Sequence, residues 1–593
     1  MAFQLSPGVL VTEKDLTTIV PAVATSAGGM AGTFAWGPAE EVILIDSENK
    51  LKATYHEPDA NTYEWWFTAA NFLQYGNNLQ VVRALASTHK NAVASGNANS
   101  AILIKNREHY DANYANGQAA AGYWGAKYPG SIGNSLKVGF ADASANLAAY
   151  DAWAHAAEFD GRPGTSTYAS NRGATNDEIH VIVVDQDGLF TGTAGTVLER
   201  FPYLSKAADA RKDNGEGNFY VDVVNNQSKY VYWMDHSQSN WGTNANVGGT
   251  GTAYTVQVHE ARPLITGVDG NASVTDGNWQ TAATKLKEPD EVDIQLFLLG
   301  PGRPHSGASA GSTNWVWALS NIAEYRKDCV VFVSPEYSDV VNQAGSEVTN
   351  AVALRDTLTS SSYAVLDGNW KYQYDRYNDV FRWIPMNGDT AGLCVRTDTT
   401  TDPWFSPAGF NRGQVKNVIK MAYQPTKAQR DTLYKKGINP VVTFAGEGTI
   451  LFGDKTMLAK PSAFDRINVR RLFLVLEKSI AIAAKYSLFE FNDEFTRAQF
   501  KNMVDPFLRD VQSRRGIFDF KVVCDTSNNT PEVIDRNEFI ADIYVKPARS
   551  INYIFLNFIA TRTGVSFEEV GGSVSYTHLR AHETEADLVC RLL

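Results

Sequence analysis

The chain has 593 residues, of which 44% are hydrophobic, 11% aromatic and 20% charged, enough apolar material for several cores and too little charge for a disordered polymer. Its formal net charge of −12 opposes a phosphate backbone or an anionic membrane surface, so no nucleic acid is expected as a partner. At about 150 residues per domain, three or four domains are expected.

Residues 1–20 read as an extended arm. Ser6-Pro7-Gly8 signals a turn, and Gly8, Val9, Leu10, Val11, Thr12 and Glu13 form a short β-prone run before a small-residue stretch at 22–32. Residues 28–85 have the order strand, helix, strand. The run 34–38 (FAWGP) closes one strand, 41–45 forms another, 63–75 (YEWWFTAANFLQY) has helical spacing, and 79–85 (LQVVRAL) returns as a strand. Residues 87–285 change character: Asn, Gly, Ser, Thr and Ala dominate, with short strands such as 179–184 (IHVIVV), as in an inserted loop-rich region.

From residue 292 the pattern is α/β. The run 292–299 (VDIQLFLL) suits a strand buried on both faces, 314–327 a helix, 329–333 (CVVFV) a second buried strand and 348–358 a helix, which predicts a parallel sheet. Residues 467–488 form a long apolar helix. Asn492 caps a second helix over 493–515, with Phe495, Phe500, Val504, Phe507 and Val511 on one face, Pro506 as a kink and Gly516 as C-cap. Strands are predicted at 518–523, 539–545 and 551–559.

No run of about eighteen apolar residues occurs, so no direct membrane insertion is expected. The first residues carry no secretory pattern, which places folding in the cytoplasm. Cys329, Cys394, Cys524 and Cys590 stand far apart with no CxxC pair, so buried free thiols are expected rather than zinc or disulfides. The end of the chain breaks the preceding pattern. Residues 573–584 (SVSYTHLRAHET) are what one frame of a transposase sequencing adaptor encodes, and 587–593 (DLVCRLL) match the adaptor beyond its barcode. Residues 573–593 are therefore read as foreign to the natural protein, against the alternative of a variable tail, and the natural end is expected at or beyond Gly572.

No motif carries catalytic, metal or cofactor chemistry. Residues 300–307 (GPGRPHSG) lie between a strand and a helix but lack the Gly-Lys-Ser/Thr ending, and two prolines remove backbone donors, so a flexible connection is preferred to a phosphate loop. Residues 185–188 (DQDG) open like a calcium loop but lack the later ligands, so a turn closing the IHVIVV strand is preferred. His259 and His305 have no triad or metal neighbours in sequence. Arg466, Arg470, Arg471, Arg514 and Arg515 read as a solvated helix face or dipole complement, with an acidic partner surface as the alternative.

Several segments together resemble the contractile bacteriophage tail sheath protein family. They are 6–13 (SPGVLVTE), 32–38 (GTFAWGP), 189–207 (LFTGTAGTVLERFPYLSKA), 404–413 (WFSPAGFNRG), 437–455 (GINPVVTFAGEGTILFGDK) and above all 464–569, ending in FIADIYVKPARSINYIFLNFIATRTGVSFEE. The resemblance is weakest over 210–285.

It implies a multidomain α+β / α/β fold with nested insertion. The expected parts are an N-terminal exchange arm (1–20), a middle α/β domain in two pieces (21–86 and 286–436), inserted outer domains (87–285), a conserved C-terminal α+β domain facing the tube (437–562) and the start of a C-terminal arm (563–572). The C-terminal domain would be built from both chain ends and completed by strand exchange between subunits, through Gly8 to Glu13 at one end and Val565, Ser566, Phe567, Glu568 and Glu569 at the other. An N-terminal strand pairing within its own subunit is the alternative.

The implied protein is a non-enzymatic virion subunit without cofactors. It would polymerise with itself as stacked helical rings around a tail tube, meet baseplate and tail terminator proteins, and contract from a metastable state to drive the tube through the host envelope for genome ejection. The five arginines would then face the tube. A sheath of a phage-derived injection or type VI-like secretion system is the near rival, and a multidomain carbohydrate-active tail enzyme the distant one.

Overall fold

A computed structural model of the chain describes residues 24–94, 102–143, 147–303 and 313–556. Of the described residues, 24–549 belong to one compact unit and 550–556 to another.

The first sheet has seven strands in the order Ile438–Asn439, Ala364–Asp367, Val330–Val333, Leu296–Leu298, Gly28–Gly32, Leu79–Arg83 and Val42–Ile45. All neighbours run parallel except the edge pair of Val42–Ile45 with Leu79–Arg83. It therefore takes strands from both sides of a long intervening segment. The apolar runs behave as sequence patterning requires: Leu296–Leu298 and Val330–Val333 are buried at every position, as parallel strands covered on both faces must be.

Two departures from the sequence reading concern its first strand. The strand lies at Gly28–Gly32, in the small-residue stretch, and not at the FAWGP run. Neighbouring side chains leave no room there for a Cβ: one on Gly28 would stand 2.7 Å from the Phe72 ring and one on Gly29 2.7 Å from Ile294. The FAWGP run instead forms a bend whose carbonyls are collected by Arg83. This fully buried guanidinium donates to the oxygens of Phe34 (2.9 Å), Gly37 (2.8 Å) and Pro129 (2.9 Å). A helix at Glu48–Tyr55, capped by Ser47, was not expected.

The intervening segment is more regular than its composition suggests. It holds a second sheet, antiparallel throughout, in the order Thr196–Ser205, Glu178–Asp185, Leu136–Asp142, Glu260–Ile265, Val93–Ala94, Trp124–Ala126 and Val231–Trp233. Pro202 sits in Thr196–Ser205, which is the edge strand, where a missing donor is tolerated.

Residues Ile467–Lys485 form the long helix predicted by periodicity. Ile467 and Leu474 join the core of the first sheet, whereas Leu472, Leu476, Ile480 and Ala483 join a C-terminal core with Phe500, Val504, Leu508 and Val511. Phe495 does not share that face and is exposed. The helix Glu494–Ser513 runs through Pro506, and its cap is Asp493, whose carboxylate accepts from Thr496 N at 2.8 Å. Asn492, expected as the cap, instead donates to Glu538 O at 2.7 Å. Residues 551–556, read as part of a strand, form none. Cys329, Cys394 and Cys524 are buried free thiols as expected.

A connected polar network lies at the carboxyl ends of the parallel strands. Asn387 donates to Gly300 O (2.7 Å) and to Ser334 Oγ (2.9 Å), and Ser334 Oγ donates to Asp367 at 2.6 Å. Burial pushes the Asp367 carboxyl up to about 8, with the Ser334 and Asn369 donors pulling the other way. The unfolded carboxyl titrates near 4, so between about 4 and about 8 the folded chain holds a proton that the unfolded chain has released. Stability from this group is full below that window and is lost as pH rises through it. Asp367→Asn should flatten the fall in Tm between about pH 5 and 8 seen by calorimetry. Equal slopes in both proteins would refute the buried acid as its source.

Candidate assembly site

The C-terminal core ends in a two-stranded antiparallel hairpin, Ile517–Val523 with Asp542–Pro547. Ile517 and Val522 are buried against the helices, with Ile543 and Val545 packed beside them, while Lys521, Tyr544 and Lys546 point to solvent. Among the described residues neither strand has a second strand neighbour, so both outer edges are without a strand partner. A two-stranded sheet is marginal alone; here the helical core beneath it holds it in place.

The helix Glu494–Ser513 reaches the hairpin through a turn that differs from the expected glycine cap. Arg515 takes the left-handed conformation, with φ +67°, and Gly516 N donates to Val511 O at 2.9 Å. Gly516 is needed for contact instead: a Cβ there would stand 2.6 Å from Val511 Cγ1 and 3.1 Å from the Trp404 ring.

The five arginines do not form one surface. Arg471 is buried and grips Asp398 with two bonds of 2.7 Å, adding bonds to Thr25 O (3.1 Å) and Cys394 O (3.3 Å). Arg470 is buried between the rings of Tyr363 and Phe464, 4.1 Å from each centroid, and donates to Ser362 at 2.8 Å. Arg466 is partly buried with Asp454 and Tyr434. A solvated or partner-facing reading therefore fails for Arg470 and Arg471, which are buried inside the subunit. Arg514 lies over Trp404, pairs with Asp402 and remains half exposed; Arg515 is exposed.

Both candidate arms, Gly8 to Glu13 and Val565 to Glu569, lie outside the described residues. The described chain nevertheless begins at the C-terminal helix, because the Thr25 carbonyl is held by Arg471. It also leaves the compact unit beside the hairpin, where Ala548 N donates to Gly516 O at 3.1 Å.

Asp185 closes its strand as a buried acceptor for Ser135 Oγ (2.6 Å), Phe190 N (3.0 Å) and Thr191 N (2.9 Å), which is the turn expected for the DQDG run. His259 accepts from Asp142 N at 3.1 Å, and His305 lies outside the described residues. The first sheet winds outward in both directions from Gly28–Gly32 and Leu296–Leu298, and in such sheets ligands enter at that switch point. Here tryptophan fills the crevice: a Cβ on Gly300 would meet the Trp65 ring at 2.6 Å, and Trp65 stacks on Trp279 with centroids 6.2 Å apart. Sequence reading found the hairpin strands but not their open edges, since pairing partners are not written in periodicity.

Two family models match the chain: the phage tail sheath protein central domain over residues 314–457 and the phage tail sheath C-terminal domain over residues 459–561. The tail sheath protein of Vibrio phage KVP40 is 36% identical over 683 aligned positions, covering 96% of this chain and all of that one. The tail sheath protein of Enterobacteria phage T4 is 35% identical, covering 96% of this chain and 99% of that one. Among solved structures, a sheath tail protein from Listeria innocua superposes with a TM-score of 0.52 at 12% identity over 89% of this chain and 96% of that one, a likeness of fold.

Exchanging the two residues at the helix exit tests the turn. Arg515→Gly should stabilise the fold by about 1 kcal/mol by relieving the left-handed residue. Gly516→Ala should cost about 1–3 kcal/mol through overpacking. Denaturant midpoints measure both, and the opposite order would refute the assignment.

Proposed function

The chain belongs to the phage tail sheath family, and on that premise we propose that its subunits are joined by strand addition at the edges of the Ile517–Val523 and Asp542–Pro547 hairpin. The protein is a structural subunit of a contractile tail sheath and a component of the virion. The single observation that carries the linkage proposal is a well-seated hairpin with two edges that lack a strand partner among the described residues.

Gly8 to Glu13 supply a β-prone run of β-branched and apolar residues, and Val565 to Glu569 supply a second short segment with Val565 and Phe567. Docking either on a free edge satisfies backbone donors and acceptors on both sides at once. An arm formed by residues 1–20 would start from Thr25, which Arg471 anchors to the helix beneath the hairpin.

The polymer surrounds a tail tube, meets the baseplate and tail terminator at its ends, and assembles in the host cytoplasm. It relaxes downhill from an extended packing without a nucleotide, driving the tube through the envelope for genome ejection. Its role is mechanical and not enzymatic, a reading supported by relatives named as tail sheath proteins and by the filled crevice of the first sheet. Arg514 and Arg515 remain the basic residues able to meet an acidic tube.

Deleting residues 1–20 should abolish tubular polymers in negative-stain images while the melting temperature stays within a few degrees of the parent. Unchanged tubes would refute the N-terminal arm as the linker.

A further inference from the structure

The sheet formed by Trp370–Asp375, Val380–Pro385 and Lys420–Met421 buries apolar Trp370 and Ile384 at one end and is inverted in polarity towards the other. A half-covered antiparallel sheet normally buries its apolar face and wets its polar one. Here the buried face carries Lys371, Gln373 and Asp375. Lys371 pairs with Asp389 at 2.9 Å, Gln373 accepts from Asn71 at 2.9 Å, and Asp375 accepts from Arg382 at 2.8 Å.

The opposite face carries an aromatic ladder. Tyr372 stands opposite Trp383 with centroids 4.7 Å apart, and Tyr374 stands opposite Phe381 at 5.3 Å. Tyr374 and Phe381 are 47% and 51% exposed. Cross-strand pairing alone would account for the ladder's contacts, but it does not require the aromatic side to be the wet one.

Three further features continue this face. Lys420 lies 4.8 Å from the Tyr372 centroid and 5.4 Å from that of Trp383. Its strand, Lys420–Met421, is the edge of the sheet. A groove of about 780 Å³ runs from Lys420 and Ile419 to Thr443 and Gly448 of the next hairpin. Beyond it Phe410, Phe444 and Phe452 form a surface triad with centroids 5.2–6.1 Å apart, and Arg430 lies 5.9 Å and 5.7 Å from the last two rings. Neither Lys420 nor Arg430 reaches a carboxylate among the described residues. The face is thus aromatic and basic on a chain whose net charge is −12.

We propose that this face is a contact surface for the acidic surface of a second copy of the chain, separate from the hairpin edges. Aromatic anchors flanked by cations are the composition of interface centres, and exposed patches of this kind mark them. Charge complementarity selects the partner: the cations here lack carboxylates, and the chain's own surplus of acidic residues supplies them at high local concentration in a polymer. Because donor face and acceptor surface differ, the contact is head-to-tail, which extends a polymer and does not close a dimer.

The proposal rests on the sheath reading, and hydroxyl-radical footprinting of assembled against dissociated full-length protein separates the two. Tyr374, Phe381 and Trp383 should oxidise about tenfold more slowly in the polymer. Polymers that leave these rings as reactive as in free subunits overturn the contact and leave the sheath reading standing. Protection that appears only on adding another tail protein also overturns it, and a chain that never self-associates overturns both.

Replacing Phe381 and Lys420 together (Phe381→Ser, Lys420→Glu) should raise the protein concentration needed for polymerisation about tenfold, with an unchanged melting temperature. An unchanged threshold would also overturn the contact.

Discussion

The pairing of Gly28–Gly32 with Leu79–Arg83 on one side and Leu296–Leu298 on the other is the contact on which the subunit rests, because it joins segments more than two hundred residues apart into one sheet. Closing so long a loop costs little more than closing a shorter one, since the entropy grows only with the logarithm of length. What the pairing does demand is close packing. Phe72 and Ile294 approach the strand so tightly that no Cβ fits at Gly28 or Gly29, and Trp279 Nε1 donates to Ala31 O at 2.8 Å. The intervening sheet can then be large and regular without disturbing this centre.

Two buried arginines extend that centre outward. Arg83 ends the Leu79–Arg83 strand and collects carbonyls from the bend at 34–37 and from Pro129 in the intervening segment, fixing the second sheet to the first. Arg471 does the same for the C-terminal helix, using Asp398, Cys394 O and Thr25 O. Buried guanidinium groups that each donate four bonds to fixed acceptors make stiff joints, because removing any one acceptor leaves a desolvated charge short of a partner.

Sequence periodicity revealed the elements whose neighbours are local. The helices at Tyr63–Leu73 and Ile467–Lys485 and the strands at Val330–Val333 and Glu178–Asp185 follow from spacing alone. It misled where long-range packing overrode local preference. Gly28–Gly32 has poor strand propensity, and only its pairing with distant strands under close packing by Phe72 and Ile294 makes it a strand. Basic residues were legible as charges but not as buried ones, since Arg470 and Arg471 find Tyr363, Phe464 and Asp398 only after folding. The aromatic face at Tyr372 and Trp383 was invisible for the same reason: alternation shows two faces but not which one is wet.

The two surfaces proposed for assembly differ in what they require of geometry. Edge pairing uses backbone groups, tolerates many side chains and accommodates the wide range of twist between neighbouring strands. A ladder of Tyr372, Trp383, Tyr374 and Phe381 with Lys420 above it is directional, because ring stacking and cation placement fall off within an ångström or two of the favoured register. A polymer that must keep its subunits connected while their orientation changes needs the first kind of contact to be permanent. The second kind suits one packing at a time, so its gain or loss is a source of free-energy difference between packings. In the assembly proposed above, the hairpin and the aromatic sheet divide the work of connection and of preference between backbone and side chains.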